Sequence, residues 1–419
     1  MKSLAVKVLL AVAVLILLAL TLMPKVIGAG IERATIDSIL TLIPPETKSQ
    51  FEIRRNEFSD GWFSSSTTIE FIYTPIDTEA IALTMDFDID HGPLLKTDDG
   101  LSIGLAYAVI QPSIRNDLFG IAIAELSFPL PDITLNLLAR FDQSMWVNMN
   151  VSALNFSDAA GEFNFSGLDA NVDVASDQSA YFSIKMGELS ATENAENSNF
   201  LISGMTVTSS LAQMNDILAE SRATLTIPVV SSTLPLPFSV LDLGIDYGLR
   251  ASSTKDNFSE LYQTIHVANI ESEIPVSSFS WLTEVKQVNN DLLHDYYRLL
   301  SELQNEINAG AETAPADFTE LVQELYLLAI QNPLEFNNQI EANSYNGDHS
   351  AELRALWTGL SALNTAEELD INTAIAALNM TLDISLDLES ILRSPLAGVI
   401  EPYVQQGYLT IANGRILIE

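Results

Sequence analysis

The chain has 419 residues, with 19 Lys and Arg against 55 Asp and Glu, a formal charge of −36. It contains no cysteine, which excludes disulfide frameworks, thiolate zinc sites, iron–sulfur clusters and cysteine nucleophiles. So negative a chain fits neither nucleic acid, whose binding needs cations that neutralise phosphates, nor a broad basic surface for anionic lipid.

The first predicted element is Leu4 to Met23, an apolar stretch whose only charge is Lys7. As a helix it spans about 30 Å, the thickness of a hydrocarbon core, and Lys7 can snorkel toward the headgroups. The amino terminus, Lys2 and Lys7 on one side against Lys25 and Arg33 on the other place the N-terminus in the cytoplasm and the rest outside it. A cleaved signal peptide is the competing reading, but its apolar core is usually only about 7–15 residues. Ile31 to Leu42 carries a short helical pattern ended by Pro44-Pro45.

From about Phe51 to Trp281 the period is two. Ile81, Leu83, Met85, Phe87 and Ile89 alternate with Ala82, Thr84, Asp86, Asp88 and Asp90. Met145, Val147, Met149 and Val151 alternate with Trp146, Asn148, Asn150 and Ser152. Such strands put one face on a core and the other toward water, and Gly, Asn, Asp and Ser turns between them imply a large antiparallel sheet. A faint echo links Phe163–Leu168 with Phe200–Met205, each a strand running into a Gly-marked bend, expected as neighbouring hairpins. Leu292, Tyr296, Leu299, Leu303 and Ile307 then form a helical stripe, and Phe318, Leu321, Val322, Leu325 and Leu328 a second, stopped before Pro333. They predict an antiparallel helix pair laid against the sheet. Strand patterns resume after it, with Asn346-Gly347 and Asn413-Gly414 as hairpin turns.

The expected fold is α+β, mainly β, with an N-terminal transmembrane helix before a large antiparallel sheet domain and a helix pair in the C-terminal third. Its segments are an anchor over 1–24, a helical connector over 25–50, a β meander over 51–284 and the helix pair over 285–332. Residues 333–419 supply C-terminal strands, a short helix and the final hairpin of the same domain.

Gly100-Leu101-Ser102-Ile103-Gly104 matches the nucleophile-elbow pattern, which works only where a strand turns sharply into a helix. Here alternating Leu105, Tyr107 and Val109 follow, so a Gly-flanked strand start is expected, and hydrolysis with Ser102 as nucleophile ranks third among the functions. Asp86, Asp88 and Asp90 project from one strand face with His91 beside them, which makes them candidate metal ligands. The calcium-loop template fails, because His91 stands at its Gly position and no Glu closes it. A solvated strand face is the favoured reading, and no cofactor is implied.

Three signals carry a resemblance. Gly61-Trp62-Phe63-Ser64-Ser65 leads into a strand, His91-Gly92-Pro93 closes the next, and Gly407-Tyr408-Leu409-Thr410-Ile411-Ala412-Asn413-Gly414 ends the chain. Together they resemble the YdgA-like family of bacterial envelope proteins, with Ala412 intervening in the terminal pattern. The resemblance implies an inner-membrane anchor, a periplasmic domain and no established biochemical activity. Physically the matched residues read as architecture: Gly61 as a bend, Trp62 and Phe63 as buried anchors, His91-Gly92-Pro93 as a tight turn. The leading function is a non-enzymatic, single-pass envelope protein presenting a β-rich binding or scaffolding domain to another envelope protein or a second copy of itself. The alternative is carriage of lipid or another apolar ligand along the sheet.

Overall fold

A computed structural model describes residues 51–74, 81–115, 131–308, 318–361 and 370–418, apart from 99, 158, 160, 195–197, 215, 217, 234–236, 254 and 273, together with Met23 and Lys25. The expected elements at Leu4–Met23 and Ile31–Leu42 lie outside these residues, Met23 excepted. No helix among the described residues is long and apolar enough to cross a membrane.

The described chain is mainly β. It opens with strands β1 (Phe51–Asp60), β2 (Ser64–Tyr73) and β3 (Ile81–His91), the short β4 (Leu94–Thr97) and β5 (Gly100–Ile103), then β6 (Ala106–Arg115), β7 (Ile133–Ala139) and β8 (Met145–Val151). There follow β9 (Leu154–Ser157), β10 (Gly161–Phe165), β11 (Leu168–Val174), β12 (Ala180–Met186), β13 (Leu189–Glu193), β14 (Ser198–Ile202) and β15 (Met205–Leu211). The long strands β16 (Ser221–Ser232), β17 (Phe238–Ala251) and β18 (Phe258–Val267), the short β19 (Asn269–Glu271) and β20 (Val276–Asn289) lead to helices α1 (Asn290–Asn308) and α2 (Phe318–Gln331). The chain ends with β21 (Leu334–Ser344), β22 (Gly347–Trp357), α3 (Ile371–Ala377), β23 (Leu378–Asp387), α4 (Leu388–Arg393), α5 (Ala397–Gln405), β24 (Thr410–Ala412) and β25 (Arg415–Ile418).

The chain divides into two compact units, and it passes between them more than once. The first comprises Met1–Ser152, Leu168–Phe182 and Ala212–Ile217, and the second Ala153–Gly167, Ser183–Leu211 and Leu218–Glu419. In the first, β1, β2, β3, β6, β7, β8 and β11 pair in that order, all antiparallel. The predicted alternation holds along β3: Phe87 and Ile89 are buried while Asp86, Asp88 and Asp90 are exposed. Register aligns the inward residues into a core of Ile69, Phe87, Ile89, Ala106, Ala108 and Ile110, edged by Ile53, Leu135 and Leu137. Ile69 is fully buried, a contribution of about 2 kcal/mol by transfer alone.

In the second unit β9, β10, β13, β14, β16, β17, β18, β20, β21, β22, β23, β25 and β24 follow one another by antiparallel pairing. The echoed segments lie in neighbouring hairpins, as expected: β9–β10 and β13–β14 sit side by side through the β10–β13 pairing. Phe163 of β10 and Phe200 of β14 both lie opposite Ala191, so the two strands flank β13, and each runs into a glycine of positive φ, Gly167 and Gly204.

Two boundaries move. Strand β20 continues to Asn289, beyond the expected start of the helical segment at 285, and α1 begins only where the Asn289 side chain accepts from the Asp291 N–H at 2.8 Å, a side-chain N-cap. At the β21–β22 turn the positive φ angles belong to Tyr345 and Asn346, and Gly347 opens β22. Space rather than φ requires that glycine, because a Cβ there would overlap the Ser390 side chain. The C-terminal turn is as expected, with Asn413 and Gly414 both at positive φ.

The helix pair is real, and α1 continues directly from β20. Its partner α2 is tied to strand ends, through the bond from Trp357 Nε1 to the Ile330 carbonyl at 2.9 Å and that from Asn289 Nδ2 to Asn332 Oδ1 at 3.0 Å. Those bonds brace the helix pair against the ends of β20 and β22.

Candidate functional site

The first two family-like motifs meet in space. The first, Gly61 to Phe63, turns the chain from β1 into β2, with the Gly61 N–H donating to the Ser64 carbonyl at 2.9 Å. A Cβ at Gly61 would lie 2.6 Å from that oxygen, so the bend excludes a side chain. Ser64 pairs with Asp90 and Ser65 with Ile89, which carries His91 alongside. His91 is 3% exposed, with Nε2 2.9 Å from Ser65 Oγ, and its N–H donates to the Phe63 carbonyl at 2.8 Å. Gly92 donates to the Leu105 carbonyl, and Gly104 to that of Pro93. A Cβ on Gly92 would overlap the Gly104 carbonyl, so the H-G-P turn and the end of Gly100–Gly104 pack backbone to backbone.

Two expectations at this corner are corrected. Trp62 and Phe63 are 49% and 56% exposed; the turn is held by backbone bonds, and these rings face outward. His91 does not sit beside Asp86, Asp88 and Asp90. The strand period of two sends it to the opposite, buried face, while Asp86 accepts from Thr68 Oγ1 at 2.6 Å on the outer one. Among the described residues no group of three His, Cys, Asp or Glu is placed to hold a metal ion.

Ser102 lies on β5, opposite Leu95 in a two-stranded hairpin, the Gly-flanked strand read from the sequence. A second serine comes closer to a catalytic pattern, and sequence reading missed it. Ser390 Oγ is 3.1 Å from His349 Nε2, and Asp387 is adjacent. The hydrogen bonds decide against activation. The Asp387 N–H donates to His349 Nδ1 at 3.3 Å, so a neutral imidazole carries its proton on Nε2 and cannot take one from Ser390. The Ser390 hydroxyl donates instead to the Asp387 carbonyl at 3.0 Å, and the side chain is fully buried. Asp387 caps α4 by accepting from the Ser390 N–H at 2.8 Å, the chief reason its carboxyl is held below the usual carboxylate range. The set is a helix cap.

The C-terminal motif is likewise architecture. Gly407 has φ 77°, its N–H donates to the Val404 carbonyl, and that of Tyr408 to Tyr403, the paired bonds of a Schellman stop after α5. Asn413-Gly414 then closes β24 onto β25.

What the fold presents on a larger scale is an amphipathic sheet in the second unit. Val207, Leu225, Ile245, Ile265, Trp281, Ile340, Ala351, Ile384 and Ile418 lie directly opposite one another across successive strands from β15 to β25. Beside this row, on the same face, Tyr247, Leu261, Met380 and Leu382 are exposed, Met380 at 64%. The reverse face is polar and ion-paired. Arg222 pairs with Asp246, Arg250 with Glu260 at 3.0 Å and Lys286 with Glu284 at 2.9 Å. Lys286 is the main reason the Glu284 carboxyl is lowered, while burial chiefly raises the Tyr262 hydroxyl. The row was beyond sequence reading because it depends on the register of nine strands.

No curated protein and no solved structure matches the chain. A family model described as "Bacterial protein of unknown function (DUF945)" matches residues 1–417. With its match spanning nearly every residue, the chain belongs to the DUF945 family of bacterial proteins of unknown function.

Proposed function

We propose that this protein is a non-enzymatic envelope protein of the YdgA-like kind, held in the bacterial inner membrane by Leu4–Met23 with its N-terminus cytoplasmic. Its β-rich body lies in the periplasm and works by binding. The observation that carries the reading is the apolar row from Val207 to Ile418 with its exposed flank of Tyr247, Leu261, Met380 and Leu382. Nine strands at about 4.8 Å spacing make that row roughly 38 Å long. An apolar face left half-exposed over such a length is a cost to a soluble body, and it marks a surface with a partner.

Carriage of lipid or another apolar ligand along this face is the more specific reading. It is favoured by the helix pair, which braces strand ends and leaves Trp281 and Met380 exposed. Mass spectrometry of the full chain, purified gently from native membranes, tests it. Copurifying phospholipid is expected with the wild type, and Trp281→Glu, which places a charge in the middle of the row, is expected to lose most of it. A protein mass free of lipid in both would remove the carriage reading and leave protein partners as the ligands of the face.

A further inference from the structure

The first unit holds a cavity on the outer face of its sheet, under the β4–β5 hairpin. Leu95, 1% exposed, pins the hairpin to Tyr107 and Leu138. Beside that contact the cavity, of about 520 Å³, is lined on the hairpin side by Asp98 and Ser102 and on the sheet side by Asn136, Arg140, Trp146 and Asp169, a volume ordinary for small-molecule sites.

The sheet wall is an asparagine ladder. Asn136 of β7, Asn148 of β8 and Asn171 of β11 lie opposite one another. Asn148 Nδ2 donates to Asp169 at 3.0 Å and to Asn171 Oδ1 at 3.0 Å, and Asn171 Nδ2 donates to Asp169 at 2.6 Å. Asn136 Nδ2 donates to Asp98 of the hairpin at 2.9 Å. Asn136 itself is 7% exposed, and its Oδ1 is buried with no partner among the described residues. A buried acceptor left unpaired costs about 1–3 kcal/mol, and Asn is disfavoured in strands. Asn148 and Asp169 of the ladder line the same cavity, so the wall offers polar groups to whatever enters.

We infer that this cavity binds a neutral, hydroxyl-rich ligand, a saccharide. Carboxylates only accept, guanidinium only donates and amides do both, so the wall is a mixed array of donors and acceptors. Sugar hydroxyls, which donate once and accept twice, answer such an array. Trp146 supplies the flat apolar wall that the C–H face of a sugar ring covers. Two carboxylates against one guanidinium repel an anionic ligand, and among the described residues no three His, Cys, Asp or Glu are grouped to hold a metal ion. This site is separate from the apolar row, so the two proposals stand or fall independently.

A printed array of neutral, acidic and amino-bearing oligosaccharides, probed with the detergent-solubilised full chain and followed by calorimetry on the strongest neutral hit, tests the inference. Neutral glycans are expected to bind, with affinity falling about tenfold or more in Trp146→Ala and in Asp169→Ala, as for loss of a charge-assisted hydrogen bond. Asp169→Asn keeps the size of the side chain should the alanine variant unfold, and the glycan is expected to raise the melting temperature of the wild type only. No glycan bound, selection of acidic glycans alone, or binding that survives substitution at both positions would overturn the assignment.

Discussion

Gly92 has no room for a side chain. A Cβ there would overlap the Gly104 carbonyl, and Leu105 O lies 3.0 Å from the same point. Both obstacles are backbone, and the Gly92 N–H is itself bonded to Leu105, so relief means shifting the β3–β4 connection away from the start of β6. Gly92→Ala is expected to destabilise the first unit by about 3 kcal/mol, at the upper end for overpacking, as read from a denaturation midpoint. Gly100, where a Cβ meets nothing but φ is 121°, should be the milder site, at about 1 kcal/mol for a strained backbone; equal losses would show that crowding is not what the H-G-P turn is built for. The residue scale is also where sequence reading fell short. The partnership of His91 with Ser65, 26 positions away, follows from β2–β3 register, and the asparagine ladder needs three strands aligned before its members meet.

Among the elements, two turns share one construction that the sequence displays openly. Asp142-Gln143-Ser144 joins β7 to β8, and Asp177-Gln178-Ser179 joins β11 to β12. In each the glutamine has positive φ, 70° and 69°. In each the serine hydroxyl donates to the aspartate at 2.7 Å and its N–H at 3.0 Å. Those bonds, the hydroxyl first, hold both carboxyls below the usual range. A depressed folded pKa contributes stability that is present above the unfolded value, about 3.9, and is lost as pH falls through the folded one. A double variant, Asp142→Ala with Asp177→Ala, is therefore expected to melt a few degrees below the wild type at pH 7. As the pH falls through the lowered folded values the gap should close, since the wild-type turns then lose their charge as well. A gap that stays constant with pH would show that turn geometry, not ionised acceptors, is at work. Strands of this kind were legible because alternation and turn residues are local, and so were both helices. That α1 and α2 brace strand ends was not legible, because an amphipathic stripe states that a helix packs and is silent on what it packs against.

For the whole molecule the governing quantity is charge. With 55 acidic and 19 basic residues, like-charge repulsion opposes the compact state. The described ion pairs do little to offset it: Arg222 and Arg354, for example, keep most of their side-chain surface in water, and exposed pairs contribute about 0–1 kcal/mol each. Added salt acts on both effects with opposite signs, weakening the few attractions and the many repulsions together. Screening at 0.1 M reaches down to about 10 Å, which removes most of the long-range repulsion while leaving contacts near 3 Å partly intact. The melting temperature of the detergent-solubilised chain is thus expected to rise steadily between 10 and ~500 mM sodium chloride. Scanning calorimetry across that range decides the matter. A fall would mean that the paired charges on the polar face of the second unit, small in number, outweigh the acidic surplus, and that this face, rather than the apolar row behind it, is what the fold is organised to hold.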